Sequence, residues 1–375
     1  MKKIIVVSCL VCLFNHCHAQ NEKCDGTAIM EVKGSWKKVS DANMRADKNQ
    51  AQMISRIDAI SKMYQSAYTD MKGIGAEWYR TMEGSPVVTN GPATYQFNSL
   101  YRGWYCNQNL HKLMLGGETG TWSLVYFNSF GWLMTSQYDL AWLTIEGETA
   151  WLLPKKVGEW KGLTLYDPHA SASRNYAVLI TRNGQLPYKP VTRQQFLLTL
   201  KQKIEEEKKG QQDVNQKIQV RSAAEEEAAK QKGLLDIEKN NQPKYVEQRK
   251  NSYLKNYKTD EQRKQETIQR TEDYFNGRLK PINDELNNET KDDLQQPAIV
   301  MTNYLSSFKG FTTEEDGGRR MVLINNDYFN KTLPRYIPQM IVLYWSWDKS
   351  GPTQYFKKQL EDNFPVEKLK EMIDK

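Results

Sequence analysis

The sequence predicts an α+β protein, and three patterns carry that expectation. Apolar residues recur at helical spacing near the start, short apolar runs broken by turn residues follow, and a long charged stretch without tryptophan separates these from a second apolar region. Eight of the ten tryptophans lie between Trp36 and Trp160, and the other two are Trp345 and Trp347. The expected division is a signal peptide at 1–19, an aromatic-rich α+β domain at 20–192, a coiled-coil-like helical hairpin at 193–295 and a C-terminal α+β segment at 296–375. That last segment is expected to pack on the first domain, because an antiparallel hairpin returns the chain to its starting point.

The chain opens with MKKIIVVSCLVCLFNHCHAQ. Lys2 and Lys3 form a charged leader, Ile4 to Phe14 is apolar, and Cys17 and Ala19 place small residues before a cleavage point at Gln20. The segment reads as an export signal cleaved after Ala19, so the mature protein is expected in the periplasm or outside the cell. The apolar run is too short to span a bilayer, which takes about 20 residues, and no later stretch reaches that length. Lipidation would need a cysteine directly after small residues at the end of the run, but Cys17 follows Phe14-Asn15-His16.

Within the first domain, Met53, Ile57, Ile60, Tyr64 and Tyr68 mark one face of a helix, with Asp47 and Gln50 spaced to cap its start. LMLGGETGTWSLVYFNSFGWLM reads as two strands around a glycine-rich turn, and LTIEGETAWLL as a hairpin about Gly147. YAVLITRNGQLPY carries Asn183-Gly184, a strong hairpin signal. These strands make an antiparallel meander.

LPYKPVTRQQFLLTL looks like a binding motif but reads better as a helix start. Thr192 and Gln195 have the spacing of a capping box, with Val191 and Phe196 placed as a hydrophobic staple. From Arg193 to about Lys239 there is no proline, and Leu197, Leu200, Ile204, Val214 and Ile218 keep a thin stripe. NNQPKY breaks the pattern at Pro243, and a second stretch runs to about Thr290, with Pro281 near its end. Two matched arms around a short break predict a hairpin of continuous helices, each about 70 Å long. From 193 to 295 there are 21 Lys and Arg against 20 Asp and Glu, as on the solvated faces of a stalk. Near the end of the chain, RRMVLI and PQMIVLYWSW read as strands, and PTQYFKKQLEDNF and PVEKLKEMI as helices opened by proline.

The full chain has a formal charge of +7 and no basic block, so nucleic acid is not an expected partner. Of the five cysteines only Cys24 and Cys106 lie beyond the leader, an even pair in an oxidising compartment. They are expected to form a disulfide, two unpaired buried thiols being the alternative. Beyond the leader the histidines are His111 and His169, too few for a zinc motif, and no metal or cofactor is expected. Asp167, His169, Ser171 and Ser173 fall together in YDPHASAS, but no nucleophile elbow accompanies them.

Glu118, Glu146, Glu148 and Glu159 lie near tryptophans, and a glycosidase needs two carboxylates set apart in a cleft. Glu118, Glu146 and Glu148 are the catalytic candidates. Trp104, Trp122, Trp132, Trp151 and Trp160, with Tyr105 and Trp142, form a run of aromatics that could bind sugars or protein, although a period-two stripe more commonly builds a core.

GEWKGLTLY, VLITRNGQLPYKPVTRQQFL and NNDYFNKTLPRYIPQMIVLYW resemble segments of uncharacterised exported bacterial proteins. The resemblance implies one recurring architecture for the first and last regions, and no activity. The first expectation is therefore a non-enzymatic interaction protein of the bacterial envelope, touching an envelope protein through the hairpin or the aromatic sheet, with self-association of the hairpin open. The second is a glycan-directed protein, binder or hydrolase.

Overall fold

The computed structural model describes residues 24, 26–82, 86–117, 120–134, 143–168, 174–301 and 308–375. Helix α1 (Gly26–Glu31), strands β1 (Trp36–Lys38) and β2 (Ala42–Met44) and helix α2 (Gln50–Ala67) lead into β3 (Ile74–Met82), β4 (Tyr95–Asn107), β5 (Lys112–Leu115) and β6 (Trp122–Phe127). Short strands β7 (Thr144–Ile145), β8 (Glu148–Thr149) and β9 (Trp151–Leu152) precede β10 (Lys155–Trp160), β11 (Leu163–Asp167), β12 (Arg174–Thr181) and β13 (Tyr188–Pro190). Four long helices follow: α3 (Arg193–Gln216), α4 (Ala223–Asn240), α5 (Pro243–Asn256) and α6 (Asp260–Asn288). The chain then makes α7 (Lys291–Leu294), β14 (Ile299–Val300), β15 (Arg319–Ile324), β16 (Met340–Trp347), α8 (Gly351–Asn363) and α9 (Val366–Lys370).

The class is α+β, divided into two compact units that interleave along the chain. One unit takes Met1–Leu133, Lys156–Gly184 and Asn330–Lys375, and the other takes Met134–Lys155 and Gln185–Phe329. These units cut across the linear boundaries at 192 and 295, because strand pairing between distant segments overrides chain order.

The first unit is built on a ten-stranded sheet of order β1-β3-β4-β6-β16-β12-β11-β10, with β2 on β3 and β5 on β4. Strands β1 and β2 run parallel to β3, and the pairs β3–β4, β4–β6, β6–β16, β16–β12 and β12–β11 are antiparallel. The meander thus accepts the C-terminal strand β16 at its middle, where all eight of its residues are buried. One face of the sheet carries the core. Met53, Ile57, Ile60 and Tyr64 of α2 and Phe356 and Leu360 of α8 pack against Phe97, Val125, Leu343 and Trp345. Tyr64 stacks on Phe97 with centroids 5.0 Å apart, and Trp160 packs on Trp345 at 5.1 Å. Burial raises the Tyr64 phenol pKa well above its ordinary value, and its hydroxyl is held by Ser123.

Three local expectations differ from the structure. Asp47 and Gln50 do not cap α2: the Asp47 carboxylate accepts from the Asn49 amide (2.7 Å), Asn49 takes the N-cap position and Gln50 becomes the first helical residue. Strands β5 and β6 do not pair with each other, since both use the long β4, at Trp104–Asn107 and at Tyr95–Leu100. Asn183 and Gly184 do adopt positive φ (44° and 73°), yet they make no hairpin. Their flanking strands pair elsewhere, β12 with β16 and β13 with β15, so the turn carries the chain from one unit into the other.

The second unit holds the β7–β8 ribbon, turned at Glu146-Gly147 with both φ positive as a tight hairpin demands, and a four-stranded sheet of β13, β15, β14 and β9. Phe196, Leu197, Leu200 and Ile204 of α3 and Phe275 and Ile282 of α6 bury against Leu152, Val300, Met321 and Leu323. The two ends of the helical excursion meet where Arg193 N donates to Gln296 O (2.9 Å) and Ala298 N to Val191 O (2.8 Å).

Cys24 and Cys106 form a disulfide, with Cα atoms 5.3 Å apart and a sequence separation of 82. Its reduction should lower the unfolding free energy of the first unit by up to ~4.5 kcal/mol, measured by urea denaturation with and without reductant. Trp345→Ala removes a wholly buried ring from the sheet centre and should cost about 3–5 kcal/mol in the same assay.

Candidate functional site

The sequence-derived candidates do not converge. Glu118, and with it Trp142, His169, Ser171 and Ser173, lies outside the described residues. Glu146 accepts from the Gln195 amide (2.7 Å) and so ties the β7–β8 turn to the start of α3, while Glu148 accepts from Asn326 (2.9 Å). Both carboxylates brace loops. The tryptophans are divided between the units: Trp104, Trp122, Trp132 and Trp160 belong to the first and Trp151 to the second. Trp160 donates its indole N–H to Glu361 O (2.9 Å) and is held at the edge of the core. Trp104, Trp122 and Trp151 are half-buried; Trp132 is 44% exposed, with its ring 5.3 Å from that of Tyr344. His111 sits exposed in the turn between β4 and β5. Among the described residues no group of three His, Cys, Asp or Glu could hold a metal, and no helix is long and apolar enough to cross a membrane.

The helical hairpin has the most developed exposed chemistry. At its start Thr192 Oγ1 accepts from Gln195 N (3.1 Å) and Gln195 Oε1 from Thr192 N (3.0 Å), the reciprocal pair of a capping box. Beside it, Arg193 pairs with Glu289 (2.7 Å) and lies over the Phe311 ring. Burial, together with the neighbouring Glu289 carboxylate, raises the Glu285 carboxyl above its ordinary value.

Proximal packing between α3 and α6 is apolar only as far as Ile204 and Phe275. Beyond it the rungs are polar: Lys208 pairs with Glu272 (2.6 Å) and Asn215 donates to Thr271 (2.9 Å).

Both arms then break at the same level, contrary to the expected continuous 70 Å helices. α3 stops at Gln216 and α4 starts at Ala223, while α5 stops at Asn256 and α6 starts at Asp260. The cause is in the sequence. Ser222 with Glu225, and Thr259 with Gln262, form two further capping boxes, each supplying a fresh helix start with partners for its free amides. Lys264 supports the other side by donating to the carbonyls of Gln216 and Ile218, each at 3.0 Å, where the α3 dipole is negative. The spacings S-x-x-E and T-x-x-Q could have disclosed these breaks; the absence of proline masked them.

A polar knot closes this joint. Arg221 forks onto Asp260 through two contacts of 2.7 Å, and Glu226 accepts from Asp260 N (2.7 Å) and Tyr257 Oη (2.6 Å). The Arg221 guanidinium holds the Asp260 carboxyl down to about 2. Beyond the joint the distal half is thinly packed. Among the described side chains α4 buries only Glu226 and α5 buries none, and Gly233 leaves just enough space for the Tyr253 ring of the facing helix. Leu235, Tyr245 and Leu254 are exposed there.

Comparison with known protein families, curated proteins and solved structures finds no match, so the reading of this site rests on its own chemistry.

Because Asp260 titrates lower when folded than its ordinary 3.8, its pairing with Arg221 is complete above that pH and is lost as pH falls through about 2. Carbon-detected NMR of the Asp260 carboxyl should show the depressed midpoint, and Arg221→Gln should return it towards 3.8.

Proposed function

We propose that this chain is an exported, non-enzymatic interaction protein of the bacterial cell envelope, with its contact surface on the helical hairpin. The observation that carries the reading is the contrast between the two halves of the hairpin. The proximal half is anchored by a shared apolar core, whereas the distal half holds its helices through caps, a polar knot, the Lys250–Glu238 pair (3.3 Å) and a glycine–tyrosine contact while exposing Leu235, Tyr245 and Leu254. Isolated helices of 18 and 14 residues are marginal in water, so a distal half of this kind has most to gain from a partner that covers it. The bracing roles of Glu146 and Glu148 favour this reading over a glycan hydrolase.

Replacing the entire hairpin would remove Phe196, Leu197, Phe275 and Ile282 from the second unit's core, so the informative variant joins Gln216 to Asp260 by a short glycine-serine linker. In crosslinking pull-downs from envelope extract, the intact chain should capture a defined protein that the shortened chain loses. Recovery of the same protein by both forms would overturn the reading. Recovery of glycan by both would redirect attention to the exposed Trp132.

A further inference from the structure

The hairpin is polar in a second sense, along its length. From 217 to 259 there are ten Lys and Arg against six Asp and Glu, so the distal half carries +4. The proximal segments 193–216 and 260–295 together hold eleven against fourteen and carry −3. Lys232, Lys239, Lys244, Arg249 and Lys255 are exposed, and none makes an ion pair among the described residues. Glu205, Asp213 and Asp292 on the proximal half are exposed and unpaired in the same sense. The sign of the charge therefore reverses at the joint.

The joint also exposes aliphatic side chains among the polar Gln216, Lys217 and Gln219. Val214 is 58% exposed, Ile218 37% and Val220 41%, three aliphatic side chains within seven residues. A shallow groove of about 330 Å³, lined by Gln211, Thr267, Arg270, Thr271, Tyr274 and Phe275, lies just proximal to them. A stalk that only separated two ends would not need this patch, since the chain turns from one helix to the next through the caps and the polar knot alone.

We propose that the hairpin is a homodimerisation arm, pairing antiparallel with a second copy of itself about the joint. A two-fold contact brings the same patch of both copies to the axis and sets each flank against the opposite flank of its partner. On this hairpin the axis falls on Val214, Ile218 and Val220, and the basic distal half of each copy lies along the acidic proximal half of the other. The lengths agree. The distal helices of 18 and 14 residues span about 27 and 21 Å and fit alongside proximal helices of 24 and 29 residues, about 36 and 44 Å. The pattern opposes parallel pairing, which would lay like charge on like, and it limits assembly to two copies because the contact closes on itself. This rests on the hairpin being a contact surface, and names a second copy as an occupant of it.

The test is sedimentation of the purified full-length protein over a dilution series at low and high salt. A monomer–dimer equilibrium is expected, weakening as salt screens the flanks. Val214→Gln with Ile218→Gln and Val220→Gln should shift the protein to monomer with its helical circular dichroism retained. Lys232→Glu with Lys244→Glu and Lys255→Glu should raise the dimer dissociation constant roughly ten- to hundredfold. Mixing that variant with Glu205→Lys/Asp213→Lys protein should restore a mixed dimer, since each flank again faces its opposite. A monomer at every concentration, or a dimer indifferent to salt and to charge reversal, overturns the proposal. Either result leaves the envelope-partner reading to its own pull-down, where capture by a monomeric chain would sustain that reading while this one falls.

Discussion

The pairing of Met340–Trp347 with Trp122–Phe127 on one side and Arg174–Thr181 on the other is the constraint on which the larger unit depends. Two groups of strands meet only through it: β1 to β6 on one flank and β10 to β12 on the other. Without β16 each flank would present a long, apolar edge, the arrangement most prone to pairing with a foreign strand. The same strand supplies Leu343 and Trp345 to the core beneath α2 and α8, so hydrogen bonding and burial are satisfied by one segment. The helices then follow from the sheet, since the apolar stripes of α2 and α8 have this one face to cover.

The hairpin obeys a different economy. Its proximal half is held by burial, its joint by charge-assisted hydrogen bonds, and its distal half largely by local helix chemistry. Arg221, Glu226, Tyr257 and Asp260 satisfy one another almost completely, which makes the joint specific in geometry rather than strong, as exposed ion pairs contribute little net stability. A stalk built this way fixes the geometry of its joint while its outer helices bury little of their own surface.

Much of this architecture was legible before any coordinates. The 3.6-residue stripe of α2, the Gly147 hairpin, the Thr192–Gln195 helix start, the proline-led α8 and the Cys24–Cys106 pair all arise from local spacing or from counting, and local signals survive tertiary context well. What escaped the sequence was pairing at a distance. Nothing near Asn183-Gly184 states that β12 and β13 will seek partners more than 130 residues later, and the positive φ of both turn residues shows that the local preference was honoured while its usual consequence was not. The candidate site was half legible. The thin stripe of the arms pointed to the hairpin, whereas the joint was hidden in two capping boxes read as ordinary helix interior.

The interleaving of the units has a temporal meaning. The middle strand of the ten-stranded sheet follows every residue of the second unit in the chain, so during synthesis the first unit holds two unjoined half-sheets while roughly 145 residues pass. Contacts of such long sequence separation form slowly, since the loop between them must close first. The delay postpones the locking of the core and keeps the polypeptide threadable until its final strand arrives.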